Sequence, residues 1–526
     1  MPPQRTKFIT HLFGGGWATD FGQNYYNAPD RDQSLVMPFL PEAINVVYEF
    51  NGGPHKCPGT DAMTDTTVGA AAEVVGVFDY WRQGTSDSPA QKIIIHHGTV
   101  VAEANLGGTF SDLQTGLESG KVPHYTTFDD FLIYASDSTT DVPSSWDQTT
   151  RQNLAGSPPN FSFSKPHKNY LFASGVAANP SRVYWPVNVD PEDWTGSGSG
   201  NIDVNPGDGD HVTAIWSHRN ELIVFKGPYK GSISRITGSS LSDFALTTLV
   251  DGVGAGWINT VFPFGSDLGF VTPTGSIRSL DATAAFGDYD EAALSYPIES
   301  YVRTKLNHSR IRNWWAVNDS PNSRVLIACS SSSAIINDTI LCMDYRFMAQ
   351  GERYPRWSRW DAFKPLSLAM VNDTNNRRRP FGGDNAGLVQ KYEQPARTAN
   401  GGLISMSVKT PFLSYGSEIL MKTIETASIG INPKNNNDIT FGHQRDNLTP
   451  QTQTIAQSGA ANSLDDFLLD VDILDGESYL SRFLQLEEGG DFRIIQYQIT
   501  DAVADSDLEF HNIGAQITVD AVSTEN

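Results

Sequence analysis

A chain of 526 residues with 60 acidic against 37 basic side chains, a net charge of −23, exceeds one ordinary domain and lacks the basic face of a tight nucleic-acid clamp. Only 18% of its residues are charged, and the 46 Gly and 29 Pro, with abundant Ser, Thr and Asn, are turn formers. This composition speaks against a helical bundle or coiled coil, and the 27 Phe, 18 Tyr and 11 Trp exclude wholesale disorder.

The N-terminus, MPPQRTKFITHLF, has no apolar stretch of the secretory kind. No window reaches the ~18 apolar residues of a membrane span, so synthesis in a cytosol without a membrane-spanning segment is expected. Residues 1–65 read as an arm. Gly14–Leu40 is rich in Gly, Asn, Asp and Pro and would not fold alone, and strand-like Glu42–Phe50 precedes the turn Asn51-Gly52-Gly53. The arm is expected to pack along the larger domain and lend it a strand.

From 66 to 398 the chain repeats strand–turn–strand units. KIIIH (Lys92–His96) turns at His97-Gly98 into TVVA (Thr99–Ala102), while FLIYA (Phe131–Ala135) reads as a lone strand. YLFA (Tyr170–Ala173) turns through Asn179-Pro180 into RVYW (Arg182–Trp185). HVTAIW (His211–Trp216), ELIVF (Glu221–Phe225) and SISRI (Ser232–Ile236) form the clearest unit. DLGFV (Asp267–Val271) turns into SIRSL (Ser276–Leu280), Val325–Cys329 pairs with Ile340–Asp344, and GLVQKY (Gly387–Tyr392) closes the series. Inner strands beginning near Ile93, Phe131, Tyr170, Leu222, Leu268 and Val325 recur at roughly 40–55 residues, the period of propeller blades. A pair of large sandwiches is the competing arrangement. Residues 399–526 differ in texture: short alternating segments between polar stretches predict a β-sandwich. The expected fold is all-β, a β-propeller-like domain followed by that sandwich.

Chemistry is sparse. Three cysteines, Cys57, Cys329 and Cys342, are too few for a disulfide framework; Cys329 and Cys342 would face each other if Arg324–Tyr345 folds as a hairpin, and two reduced, buried cysteines are expected there rather than a disulfide. GVGAGW (Gly252–Trp257) has the glycines of a phosphate loop, but a strand pattern follows where a helix is needed, which favours a tight inter-blade turn. Asp203, Asp208, Asp210 and His211 could offer oxygens to calcium; their spacing is not that of an EF-hand, and Asx-turns explain them as well. His96-His97 has no zinc-type partner spacing. RYPRWSRW (Arg353–Trp360) alternates cations with aromatics, either as a binding face or as Arg stems packed on Trp357 and Trp360. About fifteen carboxylates between Gln451 and Asn526 face only Arg482 and Arg493, which reads as a soluble exposed domain or a repulsive rim. No catalytic, cofactor-binding or metal residue is nominated, and no cofactor or enzyme activity is expected.

Several phrases of the chain carry a family resemblance. They are the opening Gly-Gly-Gly-Trp, Pro41–Thr60 (PEAINVVYEFNGGPHKCPGT), Asn179–Trp185 with Asp190–Trp194, His211–Gly238 (HVTAIWSHRNELIVFKGPYKGSISRITG) and Phe492–Asp520. These are similar to tail nozzle or hub proteins of short-tailed phages, also called tail tubular or stabilisation proteins. Asp288–Arg310 and Ser330–Ala334 depart from the pattern. The resemblance implies a structural virion protein that assembles with itself into a ring, often a homohexamer, below the portal–adaptor complex. It would extend and seal the DNA conduit, carry tail fibre or tip proteins, and let DNA pass without sequence-specific binding. The alternative is a carbohydrate-binding or polysaccharide-degrading propeller that recognises the host surface.

Overall fold

A computed structural model describes residues 6–12, 15–20, 39–49, 53–63, 67–69, 71–84, 90–287, 293–415, 418–433, 438–446, 448–455, 480–484 and 490–519. The chain forms two compact units: residues 61–340 with 363–393, and residues 1–60 with 341–362 and 394–526. These boundaries differ from the three consecutive spans expected above.

The first unit is a β-propeller. Four consecutive antiparallel sheets of four strands occupy Val74–Gln114, Pro123–Asn153, Phe163–Asp203 and His211–Asp251. A three-stranded fifth blade follows (Val261–Phe264, Asp267–Val271, Ile277–Ser279), ending in a helix, Leu280–Phe286, capped by the Ser279 hydroxyl. The hairpin Trp315–Asp319/Arg324–Cys329 belongs to a sixth blade, and Ser367–Asn372, Arg378–Gly383 and Val389–Gln394 to a seventh. Blades two, three and four open with the same device. Two residues with positive φ, Asp129-Asp130, Lys168-Asn169 and Arg219-Asn220, join the first strand to the second. A left-handed pair matches the twist of the flanking strands, so a two-residue loop suffices.

Neighbouring blades bury apolar side chains against one another. Tyr80 and Ile94 of the first blade meet Tyr125, Leu132 and Trp146 of the second, whose opposite face places Phe128 and Ile133 against Phe161 and Leu171 of the third. The circle closes where Val74, Val77 and Ile93 of the first blade share one cluster with Val371, Phe381 and Val389 of the last. Polar bonds seal the same seam, with the Asn372 amide donating to Asp79 at 3.2 Å and the Gln91 side chain to the Asn372 carbonyl at 2.9 Å.

Two expectations are corrected here. FLIYA is not a lone strand, since Phe131–Ser136 pairs with both Pro123–Phe128 and Ser144–Trp146. The strands taken as innermost are the second in each blade. A second strand is covered on both faces and therefore reads most apolar, as Ile93–Ile95 and Leu222–Phe225 do. The first strands face the axis and carry polar residues.

The second unit holds two mainly antiparallel sheets arranged as a β-sandwich. In one, Leu508–Val519 lies between Lys422–Pro433 and both Thr6–Leu12 and Pro54–Lys56. In the other, Arg356–Trp360, Glu42–Ile44, Met406–Lys409, Ile495–Asp501, Ile439–Arg445 and Gln451–Ile455 follow in order. Strict alternation of burial along Ile495–Asp501 marks one face toward the core. The N-terminal segment, expected to lend a strand to the larger domain, lends Glu42–Ile44, Val46–Tyr48 and Pro54–Lys56 to this unit, while its end, Asp61–Met63, belongs to the propeller, where the Met63 amide donates to the Val389 carbonyl at 2.7 Å. It crosses between the sheets at Asn45, whose φ of +54° turns Glu42–Ile44 out of one sheet and Val46–Tyr48 into the other. The Asn45 amide fixes that corner, donating to the Asp361 carboxylate and the Ser405 carbonyl at 2.7 Å each and accepting from the Asp361 amide at 2.9 Å.

Candidate functional site

Seven first strands round one axis leave a cavity of about 600 Å³. Its wall takes Val77, Phe78, Asp79 and Trp81 from the first blade, His124 and Tyr125 from the second, Lys165 from the third and Trp216 from the fourth. Asn259 and Phe262 come from the fifth, Trp315 and Asn318 from the sixth, and Met370, Asn372 and Arg378 from the seventh. Most of these residues stand on first strands, whereas Asn259 lies on the 3-10 helix Ile258–Thr260 ahead of one and Arg378 begins the second strand of the seventh blade. The volume lies within the range of small-molecule sites, which runs to roughly 300–1,000 Å³.

The cavity's electrostatics oppose those of the chain. Two cations, Lys165 and Arg378, face a single carboxylate, Asp79. Lys165 places its ammonium 4.1 Å from the centroid of the Trp216 ring, and no carboxylate pairs with it among the described residues. Burial pulls its pKa down to about 8. Burial likewise holds His124 well below its ordinary value, assisted by Lys165, so the imidazole is neutral. Burial raises Asp79, opposed by hydrogen bonds from Trp81, Gln91 and the Asn372 amide. Two buried polar atoms in the lining residues have no hydrogen-bond partner, the Asn259 side-chain nitrogen and the Tyr125 hydroxyl.

The candidates from the sequence fare differently. Around Asp203–His211, the position a cation would take is filled by the protein's own ammonium. Lys226, fully buried, donates to the Val204 carbonyl at 2.9 Å, the Asn205 carbonyl at 2.8 Å and both Asp208 oxygens at 2.7 Å. Asp210 accepts the amides of Tyr229, Lys230 and Gly231, while Asp203 pairs with Arg182. Gly252–Trp257 is an inter-blade turn leading into a three-residue 3-10 helix and the strand Val261–Phe264. A side chain at Gly254 would strike the Lys226 carbonyl, because its Cβ would lie 1.8 Å away. In Arg353–Trp360, Arg356 is buried against Glu352 and stacked 3.4 Å from the Phe347 centroid, and Trp357 and Trp360 are core residues. All three cysteines are buried and none forms a disulfide. His96 is buried and pulled down to about 4, chiefly by burial and further by His97.

Ten of the fifteen C-terminal carboxylates lie outside the described residues. The other five make internal contacts, among them Asp501 with Lys56, Asp507 with His55 and Glu509 with His511. One grouping had no sequence signal. His218, Asp267 and Asp281 offer ligand atoms within 4.8 Å of one another, though about fifty and sixty positions separate them from the histidine. Their charges are already committed: Asp281 takes Arg219 in a two-point pair, and Asp267 bonds the Ser279 hydroxyl and the Leu268 amide.

Fold and cavity together define the class: an all-β protein joining a β-propeller with a ligand-sized axial cavity to a β-sandwich. No protein-family model matches the chain, and no curated protein matches it. Solved structures with a similar fold include BBS1N in complex with ARL6DN, at 11% identity and a TM-score of 0.38, covering 66% of this chain and 98% of that one. Another is the N-terminal domain of Nup159, at 10% identity and a TM-score of 0.35, covering 67% and 98%. Among the described residues, no helix is long and apolar enough to cross a membrane.

Proposed function

We propose that this chain is a structural component of a phage tail, a nozzle or hub protein whose copies form a ring. The ring extends and seals the DNA conduit below the portal–adaptor complex and anchors tip or fibre proteins. One observation carries the reading. The phrases resembling tail nozzle proteins recur in both units, and they coincide with framework strands and turns rather than with a reaction centre. His211–Gly238 spans three strands of the fourth blade, and Asn179–Trp194 runs through the third strand of the blade before it. Pro41–Thr60 and Phe492–Asp520 contribute strands to the sandwich. The net charge of −23 supports it as well, because an acidic wall repels phosphates and lets DNA slide.

The test is co-sedimentation of the purified full chain with the portal–adaptor complex of the same particle. Stoichiometric binding of a multiple of identical subunits is expected. Failure to bind, together with degradation of a host surface polysaccharide by the chain alone, would replace this reading with the enzymatic one.

A further inference from the structure

The axial cavity is better equipped than a structural plug needs to be. A propeller axis that only had to be filled would be packed with apolar side chains, since a buried donor without a partner is destabilising. Here the Asn259 amide nitrogen is buried without a partner, and Lys165 presents an ammonium with no carboxylate to pair with it. Charge is the second consideration. In a chain of −23, a cavity with Lys165 and Arg378 against Asp79 alone carries an excess of one positive charge. With Arg378 acting on Asp79, Lys165 is the cation left to recognise a carboxylate, through charge-assisted hydrogen bonds. Third, Phe78, Trp81, Phe262 and Trp315 offer aromatic faces in the same wall, and Asn318 and Asn372 add amides. Aromatic faces cover the C–H face of a sugar ring while amides take its hydroxyls.

We infer that the axial cavity of the propeller is a binding site for a small acidic sugar, with Lys165 and Asn259 holding the carboxylate and the aromatic wall covering the ring. The cavity volume of about 600 Å³ accommodates one or two sugar rings. Lys165 is the specificity-determining residue, because its charge is what separates an acid from a neutral sugar of the same shape. Its position over Trp216 fixes where that charge stands. The inference rests on the cavity alone and is independent of the tail reading, so either can fail while the other stands.

The experiment is isothermal titration calorimetry on the full chain at pH 7 with D-glucuronate, D-galacturonate and N-acetylneuraminate, set against D-glucose and inorganic phosphate. At least one acidic sugar is expected to bind saturably and at least tenfold more tightly than glucose or phosphate. Lys165→Met keeps an apolar stem of similar length and is expected to lose at least tenfold in affinity with an unchanged melting temperature. Lys165→Arg is expected to retain binding. If Lys165→Met does not fold, Asn259→Leu replaces it, with the same tenfold loss expected. Absence of saturable binding by every acidic sugar overturns the inference. So does equal binding of glucose, which removes the role of charge, or equal binding of phosphate, which removes the role of the ring. Undiminished affinity in folded variants overturns it too.

Discussion

The propeller and the sandwich are built from the same strand chemistry but assembled in opposite ways. Each full propeller blade is a run of consecutive hairpins, closed within about forty residues by tight turns. The sandwich draws its strands from segments hundreds of residues apart, and it ties them with buried polar contacts. Lys56 reaches Asp501, the Val503 carbonyl and the Ser506 hydroxyl; His55 sits between Glu49 and Asp507; Asn45 holds Asp361. Local turns make a blade register itself. A sandwich strand delivered from a distant segment has no turn to set its register, and side-chain bonds take over that task.

Removing such a tie gives the largest expected effect. Asp501→Ala leaves the fully buried Lys56 ammonium with one carbonyl and one hydroxyl, and breaking a buried pair from one side costs about 3–5 kcal/mol. Denaturant unfolding is expected to show this loss. Hydrogen exchange should report lost protection first at Val46–Lys56 and Ile495–Asp501, with blade strands such as Glu221–Gly227 unaffected. Equal loss in both units would mean that the ties are not specific to the sandwich.

Acid should act on the two units with opposite signs. Six propeller histidines, His96, His97, His124, His167, His211 and His218, are held below the ordinary value of 6.5, each chiefly by burial. A histidine neutral in the fold takes its proton on unfolding, so stability is lost as pH falls below 6.5 toward the folded value. For His96, whose pKa falls from 6.5 to about 4, the loss is about 3–4 kcal/mol at about 1.4 kcal/mol per pKa unit. His55 behaves inversely. Burial opposes its charge, but hydrogen bonds to Asp507 and Glu49 prevail and raise its pKa. Its contribution is full below 6.5 and fades as pH rises through the raised value. Segment-resolved hydrogen exchange at pH 5 and pH 8 should show the blades gaining protection with pH and the His55 strand losing it. In a His96→Asn variant, the acid sensitivity of the first blade should shrink.

Smaller effects sharpen the same contrast. Asp208→Ala leaves Lys226 its two carbonyls and opens a partly exposed site, so about 2 kcal/mol is expected from denaturant midpoints, below the Asp501 value. Asp203→Ala, at the exposed pair with Arg182, should leave the melting temperature unchanged.

These asymmetries explain what the sequence disclosed. Turn-forming residues at blade period made the propeller readable, and the strand after Gly252–Trp257 revealed that loop as a turn. Reading apolar runs as innermost strands failed for a physical reason: the axis-facing strands carry Asp79, His124 and Lys165, whose polarity makes them look like loops. The cavity could not be read for the same reason, since its lining comes from seven blades with no shared spacing. Lys226 at Asp208 was equally hidden, because a buried ammonium leaves no motif. The destination of Glu42–Ile44 depends on partners at Ser407 and Arg359, far along the chain. The phrases that resemble tail nozzle proteins lie in both units, and the proposed function rests on that resemblance.

The ring is the central claim, and its symmetry is the most direct test. Negative-stain class averages of the full chain, alone and with the portal–adaptor complex, should show closed rings of identical subunits, six-fold by the resemblance, with an open axial passage. A monodisperse monomer under both conditions would contradict the account.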